Sequence, residues 1–154
     1  MSNAQHIHGL MNELGPLVDR IEVIQQEAEN GWAIVCDDDT SIDIECDEVG
    51  NRLTFVVPLV PIAEENQTET YRMLLTYNLL WRENGGIHMA IDDENNALLL
   101  ADIFHVDLTA EALVAVVESL IDATRGWNEV LENAADPDAG DDDAPEEHDN
   151  AVAV

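Results

Sequence analysis

Residues 71–81 read YRMLLTYNLLW, and as a helix this segment has almost no polar side. With about 3.6 residues per turn, one apolar face holds Tyr71, Leu74, Leu75 and Leu79. A second, roughly opposite face holds Met73, Tyr77, Leu80 and Trp81. A helix that is apolar nearly all round must be buried nearly all round. We therefore expect the leucine face to join the chain's own core and the second face to contact another copy of the chain.

Apolar spacing in the rest of the chain predicts an α+β domain in the order α-β-β-β-α-β-β-α, with helices packed on an antiparallel sheet. Residues 7–27 have apolar side chains at helical spacing and are interrupted by Gly15-Pro16, which predicts a first helix that is kinked or divided into two pieces. Alternating patterns predict strands near residues 32–36, 42–47, 53–59, 87–91 and 97–104. Thr109 is a predicted cap of the last helix.

The composition changes sharply after residue 131. Residues 132–154 contain nine acidic residues, two prolines and no basic residue. Such a segment cannot bury enough apolar surface to offset the entropy of ordering it. The sequence therefore predicts one domain over residues 1–131 and a disordered acidic tail over residues 132–154.

The charge balance is extreme, with 34 acidic residues against 5 basic ones and a net charge of −29. All five basic residues are arginines, and they form no run or patch that could neutralise phosphates. This excludes nucleic acid and anionic membrane surfaces as partners and leaves basic partners possible. Acidity serving solubility in a salt-rich cytoplasm remains an alternative. No secretory signal or membrane-length apolar run is present, so we expect a cytoplasmic protein.

The residues that could carry chemistry form no recognisable constellation. Cys36 and Cys46 fall in alternating apolar stretches, which predicts buried free thiols. The acidic runs at residues 37–39 and 92–94 lie where turns are expected and lack the ligand pattern of a calcium loop. The histidines are scattered, and no nucleophile–base pattern or phosphate loop is present. We therefore expect no catalysis, no cofactor and no metal.

Several motifs resemble the Tir chaperone (CesT) family, the small acidic class I chaperones of type III secretion. They are Leu74-Leu75-x-x-Asn78, Gly85-Gly86-Ile87-His88-Met89-Ala90-Ile91-Asp92, Leu98-Leu99-Leu100 and Trp127-Asn128-Glu129-Val130-Leu131. The resemblance covers roughly residues 69–131. The order of the elements before residue 69 agrees with the family as well.

The resemblance implies a homodimer joined largely through the helix at residues 71–81. It also implies a role without ATP, in which the dimer holds the N-terminal segment of a secreted effector protein in extended form. Such clients add strands to sheet edges and bury apolar side chains in grooves. The candidate client-binding residues are Leu10, Leu14, Leu17, Ile34, Ile42, Ile44 and Phe55.

Two other functions remain compatible with these features. A YbjN-like regulatory or stress protein would share the same fold without a secreted client. An acidic ion-binding protein would instead use the carboxylates of the turns.

Overall fold

The computed structural model describes residues 3–135. The elements in chain order are helix α1 (Asn3–Leu17), strands β1 (Ile21–Ala28), β2 (Gly31–Cys36), β3 (Ser41–Asp47) and β4 (Arg52–Pro61), a 3-10 turn (Glu64–Asn66), helix α2 (Gln67–Leu79), strands β5 (His88–Ile91) and β6 (Asn96–Phe104), and helix α3 (Ala110–Ala135). The predicted α+β class with an antiparallel sheet is confirmed.

The six strands form one sheet in the order β1-β2-β3-β4-β6-β5, and every neighbouring pair is antiparallel. Burial alternates along β3 and β4, so one face of the sheet is enclosed. Residues of α1 and α3, such as Leu14 and Leu120, join Ile34, Phe55 and Leu99 in a single core on that face. We call the opposite face, which carries the exposed and half-buried positions of the same strands, the open face.

The predicted long first helix is wrong in its second half, because residues 21–28 form strand β1. Pro16 lies in the last turn of α1, and the helix ends one residue later. A register shift between Ile21 and Val23 marks a bulge in β1. Ile21 pairs with Cys36 and Ile24 with Ile34, so both isoleucines face the core at a spacing of three residues. A spacing of three residues is also typical of one face of a helix, which is why the sequence predicted a helix here. Because residues 21–28 form a strand instead, the sheet has one strand more than predicted.

Other local predictions are confirmed. The backbone N–H of Ala112 donates to Thr109 Oγ1 at 3.1 Å, which caps α3. Cys36 and Cys46 are buried free thiols, and burial raises the pKa of both. The Asp92 carboxylate accepts backbone hydrogen bonds from Glu94 and Asn96, so it holds the β5–β6 turn.

Two arginine ion pairs connect α3 to segments that border the strands. Arg20, just before β1, donates to Asp122 at 2.6 Å, and Arg125 on α3 donates to Asp38 in the β2–β3 turn at 2.6 Å. Desolvation acts to raise the pKa of Asp38, but hydrogen bonds from Thr40 and Arg125 outweigh it and lower this pKa to about 2.

Helix α3 continues to Ala135, four residues past the predicted end of the domain. The remainder of the predicted acidic tail, residues 136–154, lies outside the described residues. The single-domain boundary and the disorder of the tail therefore stay predictions.

The side chain of Asn78 closes the edge of the sheet at β5. Its Oδ1 accepts the backbone N–H of Met89 at 2.7 Å, and its Nδ2 donates to the backbone C=O of Met89 at 3.1 Å. An amide side chain thereby takes the place of a further strand at this residue. Helix α2 is held beside β5, which makes that edge a poor site for strand addition.

We expect Asn78→Leu to lower the free energy of unfolding by about 2 kcal/mol, because both backbone groups of Met89 lose their partner in a half-buried site. Urea titration followed by circular dichroism measures the loss. Thr76→Ala is the matched control on the same helix, since the Thr76 hydroxyl only donates to the exposed Arg72 carbonyl. Equal stability of the two variants would contradict the role given to Asn78.

The low pKa of Asp38 predicts a specific acid sensitivity. Because the folded pKa lies below the ordinary value of 3.8, the ionised group stabilises the fold above that pH and its contribution is lost as the pH falls toward 2. Asp38→Asn should therefore be less stable than wild type at neutral pH and should lose less stability between neutral pH and about pH 2. Urea midpoints at both pH values test this.

Asp39→Asn is the control for that measurement. Asp39 is exposed in the same turn and has a φ of 68°, which asparagine also adopts readily. A pH profile of Asp38→Asn that overlays the wild-type profile would show that the contacts of Asp38 are not stabilising.

Candidate functional site

One side of α2 faces away from the core although it is largely apolar. Leu75 and Leu79 are 69% and 76% exposed. They share a surface with Thr68, Arg72 and Thr76, which we call the outer α2 face. Of the three leucines expected in the core, only Leu74 is buried. The prediction for Leu75 and Leu79 is wrong because α2 packs beside β5 at the end of the sheet rather than over its enclosed face.

The four residues predicted to meet a second copy have different environments. The Tyr77 ring packs edge-on against Trp127 of the same chain with centroids 5.2 Å apart, and Met73 is half-buried. Leu80 and Trp81 are 48% and 55% exposed, just beyond the end of α2. A single chain does not test contact with a second copy, so the interface stays a prediction, with Leu80 and Trp81 its accessible members.

An apolar groove of about 250 Å³ lies between α2 and β5. Its walls include Tyr71, Leu74, Leu75, Met89 and Ile91. The exposed Leu75 belongs both to this groove and to the outer α2 face. The two features therefore form one continuous apolar surface at the β5 end of the sheet.

The arginines differ in whether they form ion pairs within the chain. Arg20, Arg52 and Arg125 each make an ion pair. Arg72 and Arg82 make none within residues 3–135, and Arg82 stacks 5.0 Å from the centre of the Trp81 ring. The positive charge that the described fold leaves unpaired thus lies on and beside the outer α2 face.

Six of the seven predicted client-binding residues are enclosed in the core of one chain. They are Leu10, Leu14, Ile34, Ile42, Ile44 and Phe55, and only Leu17 is exposed. The physical reason is that the apolar spacing used to select them marks the inward face of each element. In the strands this is the face that α1 and α3 cover, and in α1 it is the face packed into the same core. Their contact with a client stays a prediction, but these six side chains support the sheet and are not displayed on its surface.

The accessible surface of the sheet lies at its other edge and on its open face. Strand β1 is the outermost strand beside β2, and most of its side chains are exposed. The open face has an apolar strip that begins at this edge and is interrupted at β3. Its members are Val23 and Val35 next to the edge and, beyond Ser41 and Asp43 of β3, Val56, Leu98 and Leu100.

Sequence reasoning missed this strip, although a signal for it was present. In a strand with one solvated face, the positions between core residues are usually polar. Val35 in β2, Val56 in β4 and Leu100 in β6 occupy such in-between positions and are apolar. A strand with apolar residues on both of its faces has a second surface suited to contact with another molecule.

Within residues 3–135, no group of three or more His, Cys, Asp or Glu side chains is arranged to hold a metal ion. None of the described helices is both long enough and apolar enough to cross a bilayer.

Three solved structures share this fold. A chain of the ExsC–ExsE complex aligns with a TM-score of 0.71 and 19% identity, covering 85% of this chain and 97% of that one. A chain of the HopA1–SchA chaperone–effector complex gives 0.66 and 18%, covering 82% and 95%. A chain of the Yersinia pestis type III secretion chaperone SycH, in complex with a fragment of YscM2, gives 0.61 and 20%, covering 81% and 98%.

At these identities the likeness is one of fold. Among curated proteins, none matches the chain. The family model of the Tir chaperone protein (CesT) family matches residues 10–128, which is most of the sequence and nearly all of the described domain. The chain belongs to the Tir chaperone protein (CesT) family.

Proposed function

We propose that this protein is a homodimeric type III secretion chaperone of the cytoplasm that binds the N-terminal segment of an effector in extended form. The family match over residues 10–128 is the observation that carries the proposal. A chaperone of this kind needs exposed apolar surface and a free strand edge, and it needs no catalytic group. The surfaces described above supply the first two.

The outer α2 face is the proposed contact with the second copy. Leu75 and Leu79 are too exposed for residues of their type unless another molecule covers them. A two-fold axis at this face would place the α2 helices of two copies against each other, and each helix would meet the other's apolar groove. Arg72 would lower the repulsion between two strongly acidic chains. We propose that Leu80 and Trp81 extend the contact, with Met73 and Tyr77 behind it.

The β1 edge and the open face are the proposed client site. Asn78 occupies the β5 edge, which leaves β1 as the edge available for pairing. A client strand added to β1 would gain backbone hydrogen bonds, and its side chains on one side would lie beside Val23 and Val35. The α2 and β1 surfaces are at opposite ends of the sheet, so both can be occupied at once.

The two alternatives differ in what they require. An acidic ion-binding protein would use the turn carboxylates, but Asp38 and Asp92 already accept hydrogen bonds that hold their own turns. Calcium titration by calorimetry tests this function, and heat of binding at millimolar or lower calcium would favour it. A YbjN-like protein would keep the fold and the dimer and would have no secreted client.

Replacing Leu75 and Leu79 together by Glu should convert the dimer into a folded monomer. In a symmetric dimer each change occurs twice, and losing the burial of even two leucines raises Kd by about a hundredfold or more. Light scattering at micromolar concentration measures the mass, and circular dichroism checks the fold. A second variant, Leu80→Glu with Trp81→Glu, tests the predicted extension.

Val49→Glu is the matched control, because Val49 is 96% exposed in the β3–β4 turn, away from α2. It should leave the mass unchanged. A Leu75→Glu/Leu79→Glu protein that remains a dimer would exclude the outer α2 face as the interface, and a monomeric wild type would exclude the dimer itself.

Co-purification from the native cell tests the chaperone function. Wild type should retain a secreted protein through its N-terminal region. A Val23→Glu/Val35→Glu variant should remain dimeric but lose most of that protein, because the client would face two new charges beside its strand. Absence of any secreted protein with wild type would favour the YbjN-like function. Full retention by the variant would move the client site away from β1.

A further inference from the structure

The open face carries an unneutralised acidic hollow next to the β1 edge. The hollow has a volume of about 430 Å³, and Glu27, Asp43 and Glu45 contribute carboxylates to its lining. None of the three makes an ion pair with a cation in the described part of the chain. The arginine that strand β4 contributes to this face, Arg52, is paired with Asp102. A cationic side chain from outside is therefore the complement that this surface lacks.

Small residues in β2 keep the hollow accessible from the edge. Across the sheet, Ala33 of β2 pairs with Asp43, and Gly31 pairs with Glu45. Side chains of ordinary size at these two positions would stand between β1 and the carboxylates of β3. Gly31 also pairs with Ala28 of β1, so the side chains between the edge and Glu45 are small, and a long side chain from a strand outside β1 can lie across them towards β3. The β1 residue beside Ala33 is Gln25, so the path to Asp43 is narrower.

The distances agree with this path. Neighbouring strands are about 4.8 Å apart, so a strand added outside β1 would lie about 14 Å from β3. An extended Arg or Lys side chain and a Glu side chain directed towards each other cover most of that span. Glu27 lies on β1 itself, one strand spacing from the added segment. All three carboxylates also act within about one Debye length of its cationic side chains at moderate salt.

The apolar and acidic positions on the open face predict which side chains a partner should carry, and at what spacing. Val23 and Val35 beside the edge favour apolar side chains, and the hollow favours cations. Val23 and Glu27 are four residues apart on β1, with Gln25 between them, so an extended partner would present an apolar residue and a cation on the same face at about that spacing.

We infer that the client segment recognised at β1 is an extended, basic one, in which Lys or Arg accompanies apolar residues on the side that faces the hollow. This inference rests on the proposed chaperone function and adds the charge of its client. Three exposed charge pairs should tighten binding by about tenfold relative to a neutral segment.

Three synthetic peptides of one length test the inference with the intact protein. In the first, the positions of one strand face carry both Val and Lys, with Thr at the positions between them. The second has Gln in place of each Lys, and the third is the Lys peptide with backbone N-methylation, which prevents strand pairing. Fluorescence anisotropy at about 50 mM and about 1 M salt measures binding. We expect the Lys peptide to bind about tenfold more tightly than the Gln peptide at low salt, with the difference shrinking at high salt and the methylated peptide binding least.

Two charge-reversal variants locate the effect. Asp43→Lys with Glu45→Lys should abolish the preference for the Lys peptide, because it replaces the carboxylates of the hollow. Glu64→Lys with Glu65→Lys changes the net charge equally in the exposed 3-10 turn before α2 and should keep the preference. Equal loss in both variants would reduce the effect to overall charge and overturn the inference.

The remaining outcomes separate this inference from the proposed function. Equal binding of Lys and Gln peptides, with an effector still co-purifying, would overturn the basic client and leave the chaperone function standing. Failure of every peptide to bind would overturn the β1 site for extended segments, whatever co-purifies. A change of mass in the Asp43→Lys/Glu45→Lys protein would assign the hollow to a second copy instead.

Discussion

A single apolar layer between one face of the sheet and helices α1 and α3 holds this molecule together. Phe55, Ile34 and Leu99 meet Leu14 and Leu120 in that layer with essentially no exposure to solvent. Because both helices lie on the same side, they leave the opposite face of the six strands uncovered by either of them. The proposed client surface follows from that asymmetry, since the helices cover one side of the sheet and leave the other accessible.

The two edges of the sheet differ in whether their outer backbone groups have hydrogen-bond partners. A pair of hydrogen bonds from one side chain accounts for the difference. At β5, the Asn78 amide satisfies both backbone groups of Met89 and keeps α2 beside the edge. At β1, the outer backbone groups face no further strand from residues 3–135. Exposed edges invite pairing with other chains. A molecule that closes one edge with a side chain and leaves the other available has a defined direction for strand addition.

The class of fold could be predicted from the sequence, but two details could not, for physical reasons. A bulge in β1 places Ile21 and Ile24 on one face at a helical spacing, so periodicity alone favoured a helix there. In α2 the pattern indicated an apolar face with Leu74, Leu75 and Leu79, yet it could not tell that the chain itself would cover only part of that face. Leu74 went to the core, while Leu75 and Leu79 stayed outside, because α2 borders the sheet at β5.

The same limit applies to the candidate site. Alternation identifies the inward residues of a strand most clearly, and Ile34, Ile42, Ile44 and Phe55 were selected for that reason although the core encloses them. The accessible surface is formed by the alternate residues, which point to the opposite face of the sheet. There Val35 and Val56 are apolar, and Asp43 and Glu45 are charged. The sequence shows both phases, but only the placement of the helices tells which one remains accessible.

The charge of the chain limits which partners can bind the open face. With a net charge of −29 the chain repels most acidic proteins. Three arginines are held in internal ion pairs, and the other two lie on and just after α2, the element proposed to meet a second acidic copy. The charged side chains that line the hollow beside β1 are all carboxylates. A partner that binds there gains most if it supplies cations, so the distribution of five arginines separates the surface proposed for the chain's own copy from the surface proposed for its client.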